Sequence, residues 1–173
     1  MLNKSLSSVL LFLICIILSC GYRFTPGGEN IKPEIQKVYI DNIANNTSEA
    51  NIENIFRNAF NDRFRTTSRF KLAENQGSSD AVLKSSIINL STSHLSYSSG
   101  NVAKEDRVTV TLDAVFEESN HQVIWANKGF VWYEDYLIDQ NNPAVTDANR
   151  RAAIQKLAVD TADRIYRAIM SGF

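Results

Sequence analysis

The clearest pattern in the chain is strict alternation. Val108, Val110, Leu112, Ala114 and Phe116 alternate with Arg107, Thr109, Thr111 and Asp113, so a strand here buries one face and wets the other. Glu118-Ser119-Asn120-His121 reads as a hairpin turn into a second strand, Val123 to Tyr133, rich in aromatic and β-branched residues. Gly129 within it marks a bulge or twist point. The zone before this hairpin, Phe70 to Ala73 and then Ala81 to Tyr97, is interrupted at Gln76-Gly77-Ser78-Ser79. Leu83 and Ile87 share one parity and Ile88 and Leu90 the other, which predicts a bulge near Ile87-Ile88. Ile35 to Ile40 predicts a first strand, broken by Asp41-Asn42 and Asn45-Asn46.

Two stretches change to helical spacing. Ile52, Ile55, Phe56, Ala59, Phe60 and Phe64 recur at three- and four-residue steps, with Arg57, Asn61, Asp62 and Arg65 on the other side. Ser48 reads as the N-cap, Glu49 suits the positive end of the dipole, and Thr66 to Ser68 end the run. Ile154, Leu157, Ala158, Thr161, Ala162, Ile165 and Ile169 form the stripe of a long last helix, capped at Thr146 or Asp147 and ended by Gly172. The order β-α-β-β-β-α predicts an α+β fold: a two-layer sandwich with two helices on one face of a mixed four-stranded sheet. The first strand, helix and second strand then form a right-handed crossover.

The amino end follows a different rule. Lys4 precedes an uncharged run from Val9 to Leu18, too short for the roughly 20 residues a membrane span needs but suited to the core of a signal peptide. Ile17-Leu18-Ser19-Cys20 follows and resembles the lipobox of bacterial lipoproteins. That resemblance implies a signal peptide over residues 1–19, diacylglyceryl transfer to the Cys20 thiol, cleavage after Ser19 and acylation of the new amine. Each buried methylene contributes about 0.8 kcal/mol, so two or more chains hold stably where one does not. Residues 20–34, with Pro26, Gly27, Gly28 and Pro33, read as a lipidated tether, and residues 35–173 as a single domain. Cys15 lies in the leader, so the mature domain has no disulfide and relies on its core. Gly21 stands where an aspartate resembles an inner-membrane retention signal, which favours the outer membrane.

Charge and chemistry narrow the function by exclusion. Loss of Lys4 leaves 17 basic against 19 acidic residues with no basic block, which argues against nucleic-acid binding. His94 and His121 have no second ligand at metal spacing, so no metal site is expected. Glu117-Glu118 and Glu134-Asp135 are neighbours that a strand points to opposite faces, poorly placed for paired acid and base work. There is no Gly-x-Ser-x-Gly motif, and no catalytic residue or cofactor is expected. Arg57, Arg63, Arg65 and Arg69 read as solvated charge near a helix end. The wet face of the sheet holds more promise. Trp125, Trp132, Tyr133 and Tyr136 crowd one hairpin arm and its exit, and as core or as contact anchors both readings stay open. Trp132, Tyr133 and Tyr136 are the candidates for partner contact. Lys104 and Arg107, beside the Ser98–Asn101 loop, are candidates for an anionic head group.

Several of these residues recur together in one family. Cys20-Gly21-Tyr22-Arg23-Phe24, the strand over 107–114, Trp125, Tyr136 and the helix run Asn149-Arg150-Arg151-Ala152-Ala153-Ile154 with Leu157-Ala158 resemble the LptE family of lipopolysaccharide-assembly outer-membrane lipoproteins. The resemblance implies a palmitate-type lipid anchor in the outer membrane and a domain on the periplasmic side or within a barrel lumen. It implies a 1:1 complex with the LptD-like β-barrel of the lipopolysaccharide translocon, which the domain plugs and helps to assemble. It also implies contact with lipopolysaccharide, for which Lys104 and Arg107 are the candidates. An alternative stays open: a periplasmic lipoprotein subunit of a secretion pore, or an activator of a cell-wall synthase.

Overall fold

The computed structural model describes residues 31–97 and 103–172. The leader, Cys20, residues 20–30 of the tether and the Ser98–Asn101 loop lie outside the described residues. In chain order the elements are β1 (Lys37–Ile40), β2 (Ala44–Asn45), α1 (Ile52–Arg65), β3 (Lys71–Leu72), a 3-10 turn (Gln76–Ser78), β4 (Ala81–Tyr97), β5 (Ala103–Glu118), β6 (Val123–Leu137) and α2 (Pro143–Ser171). The sheet runs β3-β1-β4-β5-β6, with β2 also beside β4. β1 is parallel to β3 and β4, whereas β4, β5 and β6 are antiparallel. This is the expected mixed sheet, its four main strands extended by the two-residue strands β2 and β3.

Both expected bulges are present. The pairing of β4 with β5 shifts register between Ile87 and Asn89, so the core-facing parity passes from Leu83 and Ile87 to Leu90. On β6 the pairs Leu112–Phe130 and Ala114–Asn127 leave one extra residue opposite Asp113. Gly129 takes up that residue at φ 71°, and its N–H donates to Asp113 Oδ1 at 2.7 Å. An added Cβ would meet nothing within 4 Å, so backbone sign and not space calls for glycine here.

The helix faces match their spacing, but both helices start elsewhere than expected. α1 begins at Ile52 after Asn51, which sits at φ 67° and makes no side-chain cap bond. Ser48 is not the cap because the segment before it is already committed to a turn. Asn45 Oδ1 accepts from Thr47, Asn45 Nδ2 donates to Glu49 O at 2.8 Å, and Thr47 Oγ1 accepts the Glu49 N–H. α2 begins at Pro143, not after Thr146 or Asp147. A proline tolerates this first position because its missing N–H would have no helical partner there. Thr146 lies one turn inside, where its hydroxyl accepts the Asp139 N–H at 2.9 Å and pins the incoming loop. Gly172 ends α2 at φ 77°, its N–H on Ala168 O, as its position implies.

Packing assembles these stripes into one core. Ile52, Phe56, Phe60 and Phe64 from α1 and Leu157, Ala158, Ala162 and Ile165 from α2 are fully buried, as are Val108, Val110, Leu112 and Phe116 from β5. α2 packs against α1, β5 and β6, and α1 against β1 to β3. At one end of the layer Phe64, Phe70, Phe116 and Tyr166 form an aromatic cluster with centroids 5.1–6.5 Å apart.

Asp80 stitches the strand entries together. Its Oδ2 accepts the N–H groups of Lys37 at 2.7 Å and Gln36 at 2.9 Å, and these bonds, the Lys37 one foremost, hold its carboxyl below the usual carboxylate range. A folded-state value below the unfolded one means that the contribution is complete above about pH 4 and is lost as pH falls through the folded value. The stability gap between wild type and Asp80→Asn is expected to hold steady from neutral pH down to about pH 4 and to shrink below it in urea titrations. A gap that stays constant would assign the destabilisation to something other than the carboxylate charge.

Candidate interaction face

The helices cover one side of the sheet and leave the other open. Odd-numbered residues of β5 and of the later half of β6 point to that open side, in the pairs Arg107–Asp135, Thr109–Tyr133 and Thr111–Val131. Val131 is 53% exposed and Tyr133 42%. The Arg107 guanidinium donates from Nε and Nη2 to the two carboxylate oxygens of Asp135, at 2.7 and 2.9 Å, and lies 3.6 Å from the Tyr133 ring centroid. This fork lowers the Asp135 pKa and raises that of Arg107. The face is therefore polar, aromatic and internally neutralised rather than basic.

The structure does not bring the head-group candidates Lys104 and Arg107 together. Three residues apart on one strand, they project to opposite sides of the sheet. Lys104 is exposed at the rim of an open cleft of about 580 Å³, which Leu137 to Asn141, Val145 and Asn149 also line.

The three aromatic candidates also divide. Tyr133 presents its ring on the open side. Trp132 is half-buried on the helix side with the Arg164 guanidinium of α2 3.3 Å from its ring centroid. Tyr136 is buried, and its hydroxyl donates to Asp106 Oδ2 at 3.2 Å. Burial first, and then the Asp106 charge, push the Tyr136 pKa up, so it stays a donor at neutral pH. The other oxygen of buried Asp106 pairs with His94 Nδ1.

Sequence reasoning missed this His94–Asp106–Tyr136 group. Aligning the three strands would have exposed it, since His94 and Tyr136 flank Asp106 in register. It also missed the fork from Arg150 to Glu49, with bonds of 2.6 and 3.0 Å across 101 positions, for which no local signal exists. That fork holds the Glu49 carboxyl below its usual range.

His121 lies in the β5–β6 turn with Nδ1 3.0 Å from Glu117 Oε1, and Lys84 Nζ is 2.7 Å from the same oxygen. Lys84 first and His121 second hold Glu117 below the usual carboxylate range. Among the described residues no cluster of three or more His, Cys, Asp or Glu side chains could hold a metal. No described helix is long and apolar enough to cross a membrane.

Solved structures of other lipoproteins share this architecture. Lipoprotein B from Nitrosomonas europaea superposes with a TM-score of 0.57 at 13% identity, over 80% of this chain and 84% of that one. Rare lipoprotein B from Shewanella oneidensis gives 0.52 at 16% identity, over 76% of this chain and 96% of that one. At these identities the likeness is one of fold. No curated protein sequence matches the chain. Residues 35–169 match the lipopolysaccharide-assembly family LptE, and the chain belongs to that family.

Proposed function

We propose that this protein is an outer-membrane lipoprotein that occupies and helps to assemble the β-barrel of the lipopolysaccharide translocon, one copy to one barrel. The observation that carries the reading is family membership across residues 35–169, almost the whole of the folded domain. It acts by binding and not by catalysis. The open face supports a protein partner: Thr109, Thr111, Tyr133 and Val131 offer hydrogen bonds and an aromatic anchor with little net charge to desolvate. Lipopolysaccharide contact falls to Lys104 at the cleft rim, and to Arg107 only where a phosphate displaces Asp135. Residues 1–19 are the leader, and lipid on Cys20 holds the mature chain at the membrane. Ile31 is already buried in the core and Lys32 pairs with Glu118 at 2.6 Å, so the tether is at most residues 20–30. Its length limit of about 40 Å still lets the domain stand inside a barrel or just beneath it.

The test is gentle detergent extraction of outer membranes followed by affinity purification of the tagged, lipidated protein and mass analysis of what accompanies it. The expected result is a large β-barrel at 1:1, and loss of membrane attachment in Cys20→Ala. A closed ring of this chain alone, or a cell-wall synthase in place of the barrel, would overturn the reading in favour of the pore-subunit or activator alternative.

A further inference from the structure

β6 is the last strand of the sheet, and one half of its edge is built to accept another strand. The Ile138 N–H donates to Lys104 O at 3.0 Å, which makes 104 and 138 a hydrogen-bonded pair. Antiparallel pairing alternates, so Tyr136, Glu134, Trp132 and Phe130 also direct their backbone groups at β5. Val131, Tyr133, Asp135 and Leu137 direct theirs away from the sheet. The Leu137 carbonyl confirms the alternation, because it turns outward to accept from Asn149 Nδ2 of α2 at 2.9 Å. No backbone group in the described residues pairs with the outward N–H and C=O groups of Val131, Tyr133 and Asp135.

Natural edges are usually blunted by bulges or by charges held over them. Here the bulge at Gly129 disrupts only the first half of β6, and the register from Phe130 to Leu137 is regular. The two charges in that half are drawn off the edge: Lys156 Nζ holds Glu134 at 2.6 Å on the helix side, and Arg107 holds Asp135 on the open side. Beside this edge lies a groove of about 270 Å³, walled by Glu134 to Leu137 on one side and by Asn149, Ala152, Ala153 and Lys156 of α2 on the other. The alanines leave the helix wall low where an added backbone would run.

We propose that the β6 edge from Val131 to Leu137 takes up an extended segment of the barrel partner as an additional strand, seated in the groove against α2. This rests on the reading given under Proposed function and names the contact through which that partner is held. The occupant follows from the chemistry. Alternating donors and acceptors at a two-residue spacing are matched along their length only by another extended backbone, which neither a lipid nor a helix supplies. A second copy of this chain is the competing extended backbone. In two-fold antiparallel pairing each Glu134 keeps its Lys156 partner, so charge does not decide against a second copy. The barrel segment is chosen because membership of the lipopolysaccharide-assembly family implies that partner, and the crosslinking arm below separates the two. Side chains at Val131, Tyr133 and Leu137, the last 66% exposed, would flank those of the incoming strand on the open face.

The experiment compares Val131→Pro with Val131→Ala in the full lipidated protein, scored by the amount of barrel that co-purifies. Proline removes an outward N–H and obstructs the approaching strand while sparing the ladder to β5; alanine removes only the side chain. The expected result is a loss of about ten-fold for the proline variant and under about two-fold for alanine. Wild-type recovery with Val131→Pro would overturn the proposal. If that variant fails to fold, a benzoylphenylalanine photocrosslinker at Leu137 decides, and an adduct with a barrel peptide supports the added strand. An adduct with a second copy, with lipopolysaccharide alone, or none while the barrel still co-purifies, overturns it. Absence of any barrel with the wild type would instead overturn the function proposed above, and this contact with it.

Discussion

Phe64→Ala is expected to lower the free energy of unfolding by about 3–5 kcal/mol, a large part of the roughly 5–15 kcal/mol that holds a domain of this size together. Phe64 is fully buried on the last turn of α1. Its ring meets Tyr166 of α2 edge-on at 5.1 Å, Phe70 at 5.8 Å and Phe116 of β5 at 6.5 Å. Truncation therefore opens a cavity where both helices and the sheet converge, and three rigid neighbours cannot all relax into it. Urea unfolding followed by far-ultraviolet circular dichroism measures the loss. A change below about 1 kcal/mol would mean that the cluster collapses around the gap and is not the joint described here.

The second large effect separates two tryptophans on one strand. Trp125 is 7% exposed and packs into the core opposite Phe116, so Trp125→Ala is expected to cost about 3–5 kcal/mol. Trp132 is only half-buried, with no hydrogen bond to its ring N–H and Arg164 over its face. Trp132→Ala loses the partial burial and a cation–π contact of about 0.5–1 kcal/mol, so its total stays clearly smaller. Thermal unfolding of the two variants side by side gives the order. Equal losses would mean that the α2 contact with Trp132 is as tight as the core itself.

These tryptophans also show where local pattern reading stops. Residues 125 and 132 have opposite parity, so plain alternation sends them to opposite faces of the sheet. They share the helix side because the extra residue at the Gly129 bulge resets the parity between them. The glycine was visible as a bulge signal. Its consequence for every side chain beyond it needed the pairing with β5. The same bulge decides that Tyr133 faces outward and that Tyr136 turns in toward Asp106.

By itself the sequence determined the alternating β5 strand, both bulge sites and the apolar stripes of two helices. Each of these is a statement about residues within a few positions of one another, governed by backbone periodicity and local sterics. The helix starts were misplaced because competing loop bonds at Asn45–Glu49 and Asp139–Thr146 outweighed intrinsic capping preference. Only the tertiary structure decided what the candidate residues do. It placed Asp135 against Arg107, parted Arg107 from Lys104, covered Trp132 with Arg164, and left the β6 edge open beside α2. Those outcomes depend on register between strands and on which helix crosses which face, and such pairings arise from packing the whole chain, not from any short stretch of it.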